Sequence, residues 1–125
     1  MRLLVCAIAV GALAACQLPE SSAPGGGIAC TLIAVAGLNV SVSDSSGGAA
    51  INTATVVAKS RTESYADSTK SAFNGVYALA YEHAGTYDIT VTAPGYRLFS
   101  LGGIVVTRDA CHVLPVVVTV RLGKG

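Results

Sequence analysis

Apolar and polar residues alternate in several short runs along this chain. In residues 85–97, Tyr87, Ile89, Val91 and Ala93 interleave with Thr86, Asp88, Thr90 and Thr92, the two-residue period of a strand with one face buried and one wetted. Pro94-Gly95 ends this run, because Pro presets φ and Gly supplies the positive φ of a type II turn. Leu38, Val40 and Val42 alternate in the same way with Asn39, Ser41 and Ser43, and Asp44-Ser45-Ser46-Gly47-Gly48 then makes a turn. Residues 53–59 form a third β-prone run. Residues 60–71 are polar and hold either a weak edge strand near 62–66 or only a loop.

After Asn74-Gly75, residues 76–82 alternate Tyr77, Leu79 and Tyr81 with small side chains. The short link His83-Ala84-Gly85 predicts that this run and 86–93 form an antiparallel hairpin. Residues 96–101 and 104–107, parted by Gly102-Gly103, read as two further strands. In the last run Val116, Val118, Val120 and Leu122 point inward while Val117, Thr119 and Arg121 point outward. Pro115 there marks a bulge or the start of regular pairing, since it has no ladder donor. An apolar stretch, 28–36, adds a candidate edge strand before Gly37. No helical period competes, so seven or eight short strands predict an all-β sandwich or barrel.

A family pattern runs through these strands. Val40-Ser41-Val42-Ser43-Asp44 with Gly47-Gly48, then Ala54-Thr55-Val56, then Gly75-Val76-Tyr77 lead to the most specific piece, Gly85-Thr86-Tyr87-Asp88-Ile89-Thr90-Val91-Thr92-Ala93-Pro94-Gly95-Tyr96. Together they resemble the carboxypeptidase regulatory-like domain over roughly residues 38–122. The resemblance implies a prealbumin-like, antiparallel Greek-key β-sandwich and no catalysis by the domain itself. The pair Cys30 and Cys111 is not part of that pattern.

Composition narrows the picture. The 125 residues allow one domain after removal of a leader. Hydrophobic residues make up 52% and aromatics 6%, with no Trp, so the core is built from Val, Ile, Leu and Ala. Lys plus Arg total 8 against 7 for Asp plus Glu, without a basic cluster, which excludes the positive field that nucleic acid requires.

The first 15 residues are a charged start, Met1-Arg2, followed by an uncharged apolar run. That run is too short to span a bilayer and has the length of a signal-peptide core. It ends in Leu13-Ala14-Ala15-Cys16, which resembles a bacterial lipobox, where the Cys16 thiol receives a diacylglyceryl group and the chain is cut before it. The alternative is an ordinary secretory signal with Cys16 incidental. Counting cysteines favours lipidation. Of four, Cys6 leaves with the leader, and lipid on Cys16 leaves Cys30 and Cys111 as an even pair for a disulfide. Such a bond closes a loop of about 80 residues and is worth roughly 2–4 kcal/mol. The lipobox resemblance implies palmitate or a similar acyl chain on the N-terminus and a cell-envelope location, and Gln17 after the cysteine resembles lipoproteins of a Gram-negative outer membrane, facing the periplasm or the surface. Residues 16–27, rich in Pro, Ser and Gly, read as a flexible tether, and 28–125 as the folded domain.

Little in the chain points to chemistry. His83 and His112 are the two histidines and there are five tyrosines, a set that iron-holding sandwich enzymes also use, but without a His-x-His pair. Cys111-His112 lacks a spaced partner pair for zinc. No Gly-x-Ser-x-Gly elbow is present. The expected reading is therefore non-catalytic, with no cofactor and no metal, and a small metal-dependent enzyme is the weaker alternative. The expected partners are the membrane, through the N-terminal lipid, and an envelope protein, a peptide or a glycan. For the last three, Tyr96, Arg97 and Phe99 just after the Pro-Gly turn are the candidate surface.

Overall fold

The computed structural model describes residues 29–125. The expected leader, Cys16 and the tether lie outside the described residues. Seven strands follow one another: β1 (Ala36–Asp44), β2 (Thr55–Ser60), β3 (Ala66–Thr69), β4 (Val76–Tyr81), β5 (Gly85–Thr92), β6 (Phe99–Val106) and β7 (Val116–Leu122). They form a three-stranded sheet in the order β4-β1-β7 and a four-stranded sheet in the order β3-β2-β5-β6. This is an all-β sandwich. All pairings are antiparallel except β1 with β7, which run parallel from Leu38↔Val116 to Asp44↔Leu122.

Alternation explains the core. Leu38, Val40 and Val42 of β1, Tyr77 and Leu79 of β4, and Val118, Val120 and Leu122 of β7 point inward from one sheet. Val56 and Ala58 of β2 and Tyr87, Ile89 and Val91 of β5 meet them from the other. Tyr77 serves as both filler and fastener. Its hydroxyl donates to the Ile51 carbonyl at 2.7 Å and accepts from the Ala54 amide at 2.9 Å, which pins the crossing from β1 to β2 inside the core.

Four expectations change. The stretch 29–35 forms no strand, and Ala36 instead begins β1. The polar region 61–65 is a loop, with the short edge strand β3 after it. β4 and β5 do not form a hairpin, because β4 pairs with β1 and β5 with β2 and β6. A hairpin would place Tyr77, Leu79, Tyr87 and Ile89 on one face of one sheet, whereas separate sheets let the two sets pack against each other. Positive φ at Ala80 (56°) and Glu82 (53°) turns the chain from one layer to the other. Last, 99–106 is one strand and not two. Between Tyr87↔Ile104 and Ile89↔Leu101 the β6 side carries one extra residue, and Gly103 at φ 75° takes up this bulge. The Asp88 carboxylate accepts from the Gly103 amide at 3.1 Å and from Arg61 Nε at 2.8 Å.

Candidate functional site

Of the four strand edges, that of β4 is shaped into a groove. The ladder joins the Val42 amide to the Gly75 carbonyl and places Tyr77 opposite Val40 and Leu79 opposite Leu38. By antiparallel alternation the main-chain groups of Val76, Ala78 and Ala80 face away from β1. Two of these positions are closed. Asn74 (φ 51°) and Gly75 (φ 78°) make a tight turn that folds Phe73 back onto Val76, with both amide-to-carbonyl bonds at 3.0 Å. The Ala80 amide donates to the Asp67 carboxylate of β3 at 3.0 Å. Ala78 lies between these two plugs.

A cavity of about 370 Å³ opens here, lined by Thr69, Ser71 and Ala72 on one side and by Phe73, Val76, Ala78 and Tyr81 on the other. Phe73 is 82% exposed and Tyr81 52%. The exposure of Tyr81 follows from Ala80: its positive φ breaks the alternation, turns the Ala80 methyl into the core and swings Tyr81 out. Gly37 makes this possible, since a Cβ there would stand 2.9 Å from the Ala80 carbonyl oxygen and 2.8 Å from Val106 Cγ1. Chemically, the groove offers one outward main-chain pair flanked by two aromatic rings.

The proposed Tyr96 edge is built differently. The turn closes with the Tyr96 amide donating to the Ala93 carbonyl at 3.1 Å, and Gly95 has φ 83°. Tyr96 then donates its hydroxyl to Asp44 at 2.6 Å, and Lys124 Nζ lies 5.1 Å from the ring centroid. Asp44 also accepts from the Ser46 hydroxyl and amide. These bonds, Tyr96 first, hold the Asp44 carboxyl far below the usual range, and the same bond pushes the Tyr96 hydroxyl up. Phe99 packs against the core. The side chains left open are Arg97 and Leu98.

The two histidines sit in separate arrangements. His83 stacks on Tyr65 with centroids 3.7 Å apart and planes 6° from parallel. Tyr87 donates to the His83 carbonyl at 2.7 Å and meets its Nδ1 at 2.8 Å, while Glu63 approaches Nε2 at 3.4 Å. Burial, aided by nearby Tyr65 and Glu63, pushes the Tyr87 hydroxyl up to about 12. His112 instead bonds to Glu82, whose carboxylate also accepts from the Val35 amide at 2.9 Å and the Val113 amide at 3.2 Å. Burial works against ionisation of Glu82, but these three bonds outweigh it and hold its carboxyl below the ordinary value. Asp109 is lowered by the amides of His112 and Cys111 that it caps. Cys30 and Cys111 are both disulfide-bonded, as expected for this pair. Among the described residues no group of three or more His, Cys, Asp or Glu side chains is placed to hold one metal ion.

A two-sheet sandwich whose polar side chains fasten its own loops, and whose open features lie on strand edges, is the architecture of a small all-β module. The carboxypeptidase regulatory-like domain matches residues 37–122, and this chain belongs to that family. No curated protein matches it closely. Sequence reasoning missed Phe73 and Tyr81. Asn74-Gly75 was the available signal for Phe73, since a tight turn there must place the preceding side chain on an edge.

Proposed function

We propose that this protein is a lipid-anchored, non-catalytic module of a bacterial cell envelope that binds an extended peptide or protein segment at the β4 edge. The observation that carries this reading is how the side chains are divided. The hydroxyls of Tyr77, Tyr87 and Tyr96 and the carboxylates of Asp44, Glu82 and Asp109 are all spent on holding loops. What stays open at the groove is mainly apolar and aromatic, Phe73, Val76 and Tyr81, with Ser71 at its margin. Ala78 can exchange main-chain hydrogen bonds with one residue of an extended segment, and Phe73 and Tyr81 can flank it. Support for the anchor comes from Leu13-Ala14-Ala15-Cys16 and from the disulfide state of Cys30 and Cys111, which leaves Cys16 as the remaining cysteine once a leader ending at residue 15 is removed.

Cys16→Ser should abolish incorporation of an alkyne fatty acid and release the protein from the membrane fraction. Unchanged retention refutes the anchor. A photoreactive residue in place of Phe73 should trap a discrete envelope partner in cells. A second reading, binding of a glycan or peptide by the Tyr96, Arg97 and Phe99 edge, is favoured by the exposure of Arg97 and Leu98. Trapping from Leu98 and not from Phe73 would favour it.

A further inference from the structure

One end of the sandwich carries exposed aliphatic side chains, on the outer faces of both sheets and in the flanking loops, that neither the core nor the groove uses. Leu32 is fully exposed and Ile33 is 73% exposed in the bend that leads into β1. The register puts Val117 of β7 opposite Asn39, near the start of β1, and Val105 of β6 opposite Thr86, near the start of β5. Val106 packs over Gly37, so the end of β6 stacks on the start of β1. The Leu114 amide bonds to the Thr107 carbonyl, which brings Leu114 to the same end. Val117 is 71% exposed, and Val105 and Leu114 about half.

The carboxylates at this end are paired: Glu63 with His83, Glu82 with His112, Asp88 with Arg61, and Asp109 with the amides of Cys111 and His112. The far end, in contrast, is formed by the polar Asp44-Ser45-Ser46-Gly47-Gly48 turn and the Pro94-Gly95 turn, with Leu98 beside it.

We propose that Leu32, Ile33, Val105, Leu114 and Val117 form a rim that rests on the lipid bilayer surface. This rests on the reading of Cys16 as the lipidated residue. The occupant is set by where the chain enters: residues 17–31 join Cys16 to Leu32, and even fully extended they span at most about 60 Å. Leu32 and Ile33 are therefore the rim residues nearest to the anchor along the chain. A tether of this length gives the second contact an effective concentration near the millimolar range, so a weak apolar contact is enough to orient the domain. Orientation by this rim leaves the Phe73 end of the β4 groove directed away from the bilayer.

The test uses the full-length lipidated protein in phosphatidylcholine and phosphatidylglycerol vesicles that contain a diazirine phospholipid. After irradiation, lipid adducts are mapped by mass spectrometry. Adducts are expected on peptides containing Leu32 and Ile33 and on those containing Leu114 and Val117, and not on residues 44–48. The triple variant Leu32→Ser, Ile33→Ser, Val117→Ser should lose about tenfold of this labelling. It should keep the acyl mass on Cys16 and the circular dichroism of the parent, since the three side chains are exposed. Adducts spread evenly, or unaffected by the triple substitution, with Cys16 acylated, overturn this inference alone. Cross-links between two copies through the rim overturn it in favour of self-association. Absence of acyl mass on Cys16 overturns the anchor and this inference together.

Discussion

Tyr77→Phe removes one oxygen from the centre of the molecule. The ring is fully buried, and its hydroxyl is the hydrogen-bond partner recorded for both the Ile51 carbonyl and the Ala54 amide, which lie in buried residues. The substitution leaves the ring packing intact and strands one acceptor and one donor. A buried polar group without a partner costs about 1–3 kcal/mol, and relaxation of the 49–54 segment recovers part of this, so a loss of about 2–4 kcal/mol is expected. For a domain of this size that is roughly a quarter or more of the total stability and about 10–20 °C in Tm. Urea unfolding of the oxidised protein should show a lower midpoint with an unchanged slope. Tyr81→Phe is the control, because the hydroxyl of an exposed side chain should matter by no more than about 0.5 kcal/mol. If Tyr77→Phe loses as little as Tyr81→Phe, the fastening role assigned to this hydroxyl is wrong.

Further outcomes follow from the same structure. Asp44, Glu82 and Asp109 all have lowered folded-state pKa values, so their contribution is present above the ordinary carboxylate range and is lost as pH falls through the folded values. Tyr87, raised to about 12, contributes below the unfolded tyrosine value and is lost as pH rises towards 12. Thermal melts should therefore plateau between about pH 5 and pH 10. Tyr96→Phe removes the largest cause of the Asp44 shift and should move the acid limb to higher pH; an unmoved limb contradicts the assignment. Gly75→Ala should cost about 2 kcal/mol or more, because left-handed φ alone costs an L-residue about 1–2 kcal/mol and the new Cβ would stand 2.7 Å from the Val42 carbonyl oxygen. Gly95→Ala, with nothing within 4 Å, should show the φ penalty alone in the same denaturation assay.

Local signals carried most of the fold. The period of two in β1, β5 and β7 named the buried residues one by one, and Pro94-Gly95 formed the turn its chemistry requires. The Tyr87 to Tyr96 segment marked the family. The candidate site was less legible. Tyr96 and Phe99 follow a turn, as an exposed edge would, yet Tyr96 is held by Asp44, 52 residues away, and Phe99 leans into the core. Phe73 and Tyr81 owe their exposure to a folded-back turn and to a positive φ at Ala80, and a hydrophobicity pattern records neither.

By itself the sequence determined β1, β5 and β7 with their buried faces and the Pro94-Gly95 turn, because these depend on near neighbours in the chain and on residue type. Only the tertiary structure decided which strands became partners. The short His83-Ala84-Gly85 link fits a hairpin as well as a crossing between sheets, and what separates them is whether Tyr77 and Leu79 can pack against Tyr87 and Ile89 across the core. That choice sends β4 to one sheet and β5 to the other, leaves β4 at an edge and so creates the groove. It depends on contacts such as Gly37 against Ala80 and Val106, between residues far apart in sequence and set by packing the whole core at once.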